Sequence, residues 1–168
     1  SWTNTYGGVL HFFGSISSIN GKAWNDIYAG GYDGHVAGNT GFFIVHYNGS
    51  TWTRMSTPDC NAGAQDIWLS PSSSEAFAAG SNSGIVFRYN GSVWLQSTVS
   101  GLNTPGGVWG SAHLDGSGHP DDVYVVGNSS ASKGVIYYWN GSSWSLKYTL
   151  EGTGNTYLNR VWGSAHTD

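Results

Sequence analysis

Histidine, arginine and aspartate recur at fixed places around one repeated phrase. Gly107-Val108-Trp109-Gly110-Ser111-Ala112-His113-Leu114-Asp115 returns as Arg160-Val161-Trp162-Gly163-Ser164-Ala165-His166-Thr167-Asp168. His113 and His166 therefore follow equivalent strands. A repeated imidazole is a metal ligand or proton carrier by chemistry, and a loop-backbone hydrogen-bond partner by the plainer reading. At the start of the same strand Arg160 matches His11, with Asp66 in the second repeat. If these strands line a central channel, His11 and Arg160 face a ligand there. A second cluster lies in the Gly-rich stretch 31–40, where Tyr32, Asp33, His35 and Asn39 offer an aromatic platform with polar neighbours. Trp24, in the stretch 16–25, adds another ring. A sugar site takes this form; so does a Gly-rich hairpin extension.

Catalysis has little to stand on. The chain has no nucleophile elbow, no His-Glu-x-x-His pair, no phosphate loop and no Cys-His arrangement. Glycoside hydrolysis needs two facing carboxylates, whereas Asp26 and Glu75 each open a strand, where they are expected to cap loops. The expectation is a protein that binds and does not catalyse.

The elements that must position these residues are short strands. Three markers recur together: an aromatic-Asn-Gly-Ser turn followed by Trp, an acidic residue opening an alternating strand that ends in Gly, and the Trp-Gly-Ser strand itself. The turns are Tyr47-Asn48-Gly49-Ser50 with Trp52, Tyr89-Asn90-Gly91-Ser92 with Trp94, and Trp139-Asn140-Gly141-Ser142 with Trp144. Phe12-Phe13-Gly14-Ser15 and Ile67-Trp68-Leu69-Ser70 take the Trp-Gly-Ser place in the other units. This divides one domain, 1–168, into repeats 2–52, 53–94 and 95–144, with an incomplete repeat 145–168.

Val, Ile, Tyr and Trp dominate each unit, as suits a pleated, half-buried surface. In the third unit the strands are expected near 106–112, 121–127, 133–139 and 143–150. Asn-Gly between such runs predicts a tight hairpin in which both turn residues take positive φ; the same triplets match the N-glycosylation pattern. No stretch keeps a helical period. The prediction is an all-β chain built of four-stranded antiparallel blades, a β-propeller, with about three whole blades plus extra edge strands. Phe13, Trp68, Trp109 and Trp162 are assigned to packing between blades.

Taken together, Val-Trp-Gly-Ser, Asp122-Val123-Tyr124-Val125-Val126-Gly127 and the aromatic-Asn-Gly-Ser-x-Trp turn resemble the propeller repeats of secreted bacterial proteins. They are similar to the neuraminidase repeat and to photosystem-assembly-type propellers, with Asn where the loose Asp-box has Asp. The resemblance implies a fold and no catalytic residue. A local stretch, His113-Leu114-Asp115-Gly116-Ser117-Gly118-His119-Pro120-Asp121, is similar to the calcium loop of integrin-type FG-GAP repeats. That resemblance implies Ca2+ held by Asp115, Ser117 and Asp121, with His113 replacing the leading carboxylate. Calcium takes six to eight oxygens, so two carboxylates and a hydroxyl make a poor site. The alternative is a polar Gly/Pro turn.

The formal net charge is −4, with only six Lys plus Arg spread along the chain. Nucleic-acid binders carry a basic stripe, so nucleic acid is not an expected partner. No apolar run approaches a membrane span. Cys60 is alone, which excludes an internal disulfide. The chain begins without Met or a signal segment and reads as a mature or excised product, extracellular or periplasmic. Three blades do not close a ring. Extra strands at Trp2–Tyr6 and at 158–166 would then belong to a fourth blade, supplied by further chain or by a second copy. The function expected is a binding or scaffold propeller that recognises a protein or glycan through loops on one face. A lectin with repeat-equivalent sugar pockets, or the non-catalytic part of a larger glycan-active enzyme, is the alternative.

Overall fold

A computed structural model describes residues 14–34 and 41–166. His11, Phe12, Phe13, His35, Asn39 and the expected strand at Trp2–Tyr6 lie outside the described residues. Twelve strands and no helix are present among the rest. The first sheet contains β1 (Gly14–Ala23), β2 (Asp26–Asp33), β3 (Gly41–Tyr47) and β4 (Trp52–Arg54). The second contains β5 (Ala64–Leu69), β6 (Ala76–Gly80), β7 (Ile85–Tyr89) and β8 (Trp94–Thr98). The third contains β9 (Thr104–Gly110), β10 (Val123–Asn128), β11 (Gly134–Trp139) and β12 (Trp144–Thr149). In each sheet the strands lie in chain order and pair antiparallel. The four strands expected in the third unit are found within a few residues of their predicted limits.

Alternation along the strands sends side chains to two faces. In the second sheet both faces are buried. Ile67, Leu69, Ala76, Ala78, Ile85 and Phe87 meet Phe42 and Ile44 of the first sheet. Trp68, Phe77, Ala79 and Val86 meet Val108, Val123, Val125, Val135 and Tyr137 of the third. The Phe42 and Phe87 rings stack with centroids 3.6 Å apart. Phe43 and Val45, which alternate with Phe42 and Ile44 along the strand, form a separate buried group with Ala29 on the other face of the first sheet. A small sheet cannot bury both faces alone, so neighbours must stack on it; the middle sheet shows the result.

One row of residues repeats across all three sheets. Asn20 pairs with Tyr28 and Tyr28 with His46; Trp68 pairs with Phe77 and Phe77 with Arg88; Trp109 pairs with Tyr124 and Tyr124 with Tyr138. The tryptophans of this row reach onto the following unit at a glycine. A Cβ on Gly110 would sit 2.8 Å from the Trp68 ring, and one on Gly163 would sit 2.8 Å from Trp109.

This row corrects the reading of the first unit. Its tryptophan slot holds Asn20, and 16–23 belongs to a strand. Asn20 Nδ2 donates to the Ile67 carbonyl at 3.0 Å, so a hydrogen bond replaces a packed ring. Residues 158–166 were expected to form a strand. They lie against β9, but no described strand offers them a ladder, and none forms.

The Asn-Gly turns also differ from expectation. Tyr47 pairs with Trp52, Tyr89 with Trp94 and Trp139 with Trp144, which leaves four connecting residues in each case. Only the glycines, Gly49, Gly91 and Gly141, take positive φ. The preceding asparagine instead accepts two backbone N–H groups through Oδ1. For Asn90 these come from Ser92 at 3.0 Å and Val93 at 2.9 Å, and Asn48 and Asn140 do the same. An Asx turn of this kind satisfies the loop without a left-handed asparagine.

The ring-on-glycine contact makes a direct prediction. Gly110→Ala is expected to cost about 1–3 kcal/mol, because the added methyl overpacks the Trp68 ring. Gly116→Ala, beside open space, is expected to stay within about 0.5 kcal/mol of the parent. Urea unfolding of both variants checks the difference, and equal midpoints would contradict the contact's role.

Candidate functional site

Chemistry-bearing side chains concentrate where the first strand of each sheet turns into the second. The Asn-Gly turns pack at the same end: a Cβ on Gly49 would touch Asn25, on Gly91 Ser74, and on Gly141 Asp121. All three units therefore present their loops on one face.

On that face each strand-opening acid has a cationic or aromatic partner, and the expected loop capping gives way to pairing. The Asp26 carboxylate meets His46 Nε2 at 2.8 Å, and the His46 ring stacks on Tyr28 with centroids 4.3 Å apart. Glu75 is buried and accepts from Arg88 Nε at 2.7 Å and from His119 Nδ1. Arg88 also lies over the Phe77 and Trp139 rings. Asp122 is buried and has His166 Nδ1 2.9 Å from Oδ2. Burial and then the charge of Asp26 push the Tyr28 hydroxyl up to about 12. Burial followed by the Asp122 charge raises Tyr124 and Tyr138. These phenols stay neutral at physiological pH.

His46 and Arg88 were missed from sequence, yet a signal existed. Each stands two residues before the asparagine of its turn. The third unit has Tyr138 there, and its hydroxyl donates to the Asp121 carbonyl at 2.9 Å. Counting back from the turn would have marked all three.

The repeated histidines do come together. The rings of His113 and His166 stack with centroids 4.3 Å apart and planes 17° from parallel. His113 Nδ1 meets Asp121 at 2.6 Å, so consecutive carboxylates hold consecutive rings. Near-parallel rings do not direct their free nitrogens onto a common ion.

The 113–121 loop is closed by its own backbone. Asp115 Oδ1 accepts from the amides of Ser117 at 2.8 Å and His119 at 2.9 Å, and these bonds hold its carboxyl below the usual carboxylate range. Asp121 is engaged with His113. Ser117 supplies its amide to Asp115. Among the described residues no group of three or more His, Cys, Asp or Glu side chains is placed to hold a metal ion.

The other candidates are dispersed. Asp33 is fully buried and receives Arg54 Nη1 at 2.6 Å, so its carboxylate does not face solvent. Tyr32 is half-buried and packs over Gly63, where a Cβ would come within 2.8 Å of it. Trp24 is exposed in the turn between β1 and β2. Arg160 lies at the opposite end of the sheets, donating to the Gly106 and Asn159 carbonyls.

Asp66 joins the first strands of all three sheets. Its Oδ1 accepts from Ser18 Oγ and its Oδ2 from the Val108 amide, each at 3.1 Å. Ser18 Oγ in turn accepts the Ile67 amide at 3.1 Å.

Glu75 is the most committed acid of the loop face. Glu75→Ala leaves Arg88 without its acceptor and is expected to lower stability by roughly 1–3 kcal/mol, the cost of an unmade buried hydrogen bond. The midpoint of urea unfolding should fall with an unchanged slope; an unmoved midpoint would assign Glu75 no structural role.

Comparison with known proteins finds no protein-family model that matches the chain and no similar curated protein.

Proposed function

We propose that this chain is part of a β-propeller that serves as a non-enzymatic binding or scaffold module, with recognition carried by surface loops and clefts. The observation behind this reading is the repeated row. Asn20 and Trp68 each meet the next sheet, and Trp109 meets Gly163 in the manner that Trp68 meets Gly110. A contact at the same row position in each unit supports a repeated stacking step, as in the radial repetition of a propeller. Trp162, next in the series, is 81% exposed. Its ring occupies the slot that a following sheet would cover.

On the loop face buried Glu75 is paired with Arg88 and His119 and buried Asp122 lies in ion-pair contact with His166, which suits a scaffold better than a hydrolase. The row on the third sheet, Trp109, Tyr124 and Tyr138, is half-buried where its counterpart Phe77 in the second sheet is buried. A second copy of the chain supplies a sheet of the right kind for that open position, as expected for a repeat whose terminal face lacks a polar cap. Among the described residues no helix is long and apolar enough to cross a membrane.

The test is solution mass by light scattering. The chain, 17.9 kDa, is expected to self-associate, and Trp162→Asp to return it to the monomer mass. A parent that stays monomeric would overturn completion by a second copy and direct attention to further chain as the source of the missing sheets.

A further inference from the structure

The end of the molecule opposite the paired acids carries a cleft of about 530 Å3. It lies where β9 begins and β10 ends, and the segment 157–160 forms its outer wall. That volume falls in the range of small-molecule sites.

Close backbone approach builds the walls. A Cβ on Gly106 would lie 2.5 Å from the Leu158 carbonyl, and one on Gly107 would lie 2.8 Å from the Arg160 Cα. The outer wall is tied down where Thr156 donates its amide to Ser132 O and accepts the Gly134 amide at 2.7 Å.

The lining has a definite chemistry. Arg160 spends Nη1 on the Gly106 and Asn159 carbonyls at 2.7 and 2.9 Å, which fixes the guanidinium plane. Its Nε and Nη2 make no such bond, leaving a fork that suits a carboxylate. Among the described residues no Asp or Glu lines the cleft, although the chain is net acidic. Asn128 is 4% exposed, and its side-chain oxygen has no hydrogen-bond partner. A buried acceptor left unmet is costly, so the cleft favours an occupant that brings a donor. Gln65, Thr104 and Asn159 add groups that both donate and accept, and Tyr157, 56% exposed, sets a ring at the rim.

We infer that this cleft is a binding site for an acidic sugar, with the Arg160 fork taking the carboxylate, the amides of Asn128 and Gln65 and the Thr104 hydroxyl taking ring hydroxyls, and Tyr157 stacking on the ring face. The inference rests on the binding-module reading and gives it a ligand class. Carboxylate and hydroxyls are both required: an anion alone leaves Asn128 unmet, and a neutral sugar leaves the Arg160 fork empty.

The experiment is a titration of the whole chain followed by amide NMR, with galacturonic acid as the probe and galactose and acetate as comparisons. Galacturonate is expected to move the backbone amides of Asn128 and Asn159 and the side-chain amides of Gln65 and Asn128. It should bind roughly tenfold or more tightly than galactose, the worth of a charge-assisted hydrogen bond. Arg160→Gln should erase that preference, Arg160→Lys should retain part of it, and Tyr157→Ala should weaken both sugars alike. Acetate binding as tightly as galacturonate would overturn the sugar assignment in favour of a simple anion site. Shifts confined to the 113–121 loop and insensitive to Arg160→Gln would overturn the cleft while leaving a binding module in place. No shift with any probe would overturn the cleft.

Discussion

An aromatic ring laid on a residue without a side chain is the contact on which the stacking of the second and third sheets depends. Trp68 can approach β9 closely only because Gly110 offers backbone where another residue would place a methyl. Trp109 repeats the contact on Gly163. The large ring supplies apolar area and the glycine supplies depth, so the two strands settle at one spacing. Asp66 then fixes register along the strands by binding Ser18 on one side and the Val108 amide on the other. Apolar packing sets distance and a single carboxylate sets alignment. The remaining strands of each sheet follow through ordinary antiparallel pairing.

The tryptophan contact was visible in the sequence because it repeats as a string of residues. Trp-Gly-Ser-Ala-His occurs twice, and the strands around it fall where Val, Ile and Tyr concentrate. The first unit was harder to align because its slot holds Asn20. A polar residue there carries no aromatic mark, and Phe12-Phe13 offered a tempting substitute a few residues earlier. The Asn-Gly turns were placed correctly but given the wrong geometry. The dipeptide is shared by two-residue hairpins and by four-residue loops closed through the asparagine side chain, and the choice depends on where the flanking strands stop pairing. That limit is set by the facing Tyr47–Trp52, Tyr89–Trp94 and Trp139–Trp144 pairs.

Candidate site residues were less legible than strands, for a reason of distance. The strand-opening acids Asp26, Glu75 and Asp122 could be picked out, but their partners come from elsewhere. Glu75 finds His119 from the next sheet's loop, 44 residues on, and Asp122 finds His166, also 44 residues away. Such pairs are products of stacking and leave no local spacing to read. Asp33 shows the opposite error. Its neighbours in sequence suggested a solvent-facing sugar platform, whereas strand alternation turns it inward to Arg54. The cleft escaped the sequence altogether, since Gln65, Asn128 and Arg160 belong to different units and meet only after the terminal segment crosses β9.

The two ends of the sheets differ in the polar groups they present. At the loop face, buried Glu75 accepts from Arg88, buried Asp122 lies in ion-pair contact with His166, and Asp115 spends Oδ1 on its own loop. Binding a cation there would mean breaking bonds that already hold the loops, so affinity would be drawn from the stability of the fold. At the other end an exposed guanidinium keeps two free nitrogens beside a buried amide oxygen with no partner. A ligand that supplies both a carboxylate and a hydroxyl gains those contacts without displacing any made within the chain. The proposed recognition in the cleft under Arg160 draws on groups that the fold itself has not engaged.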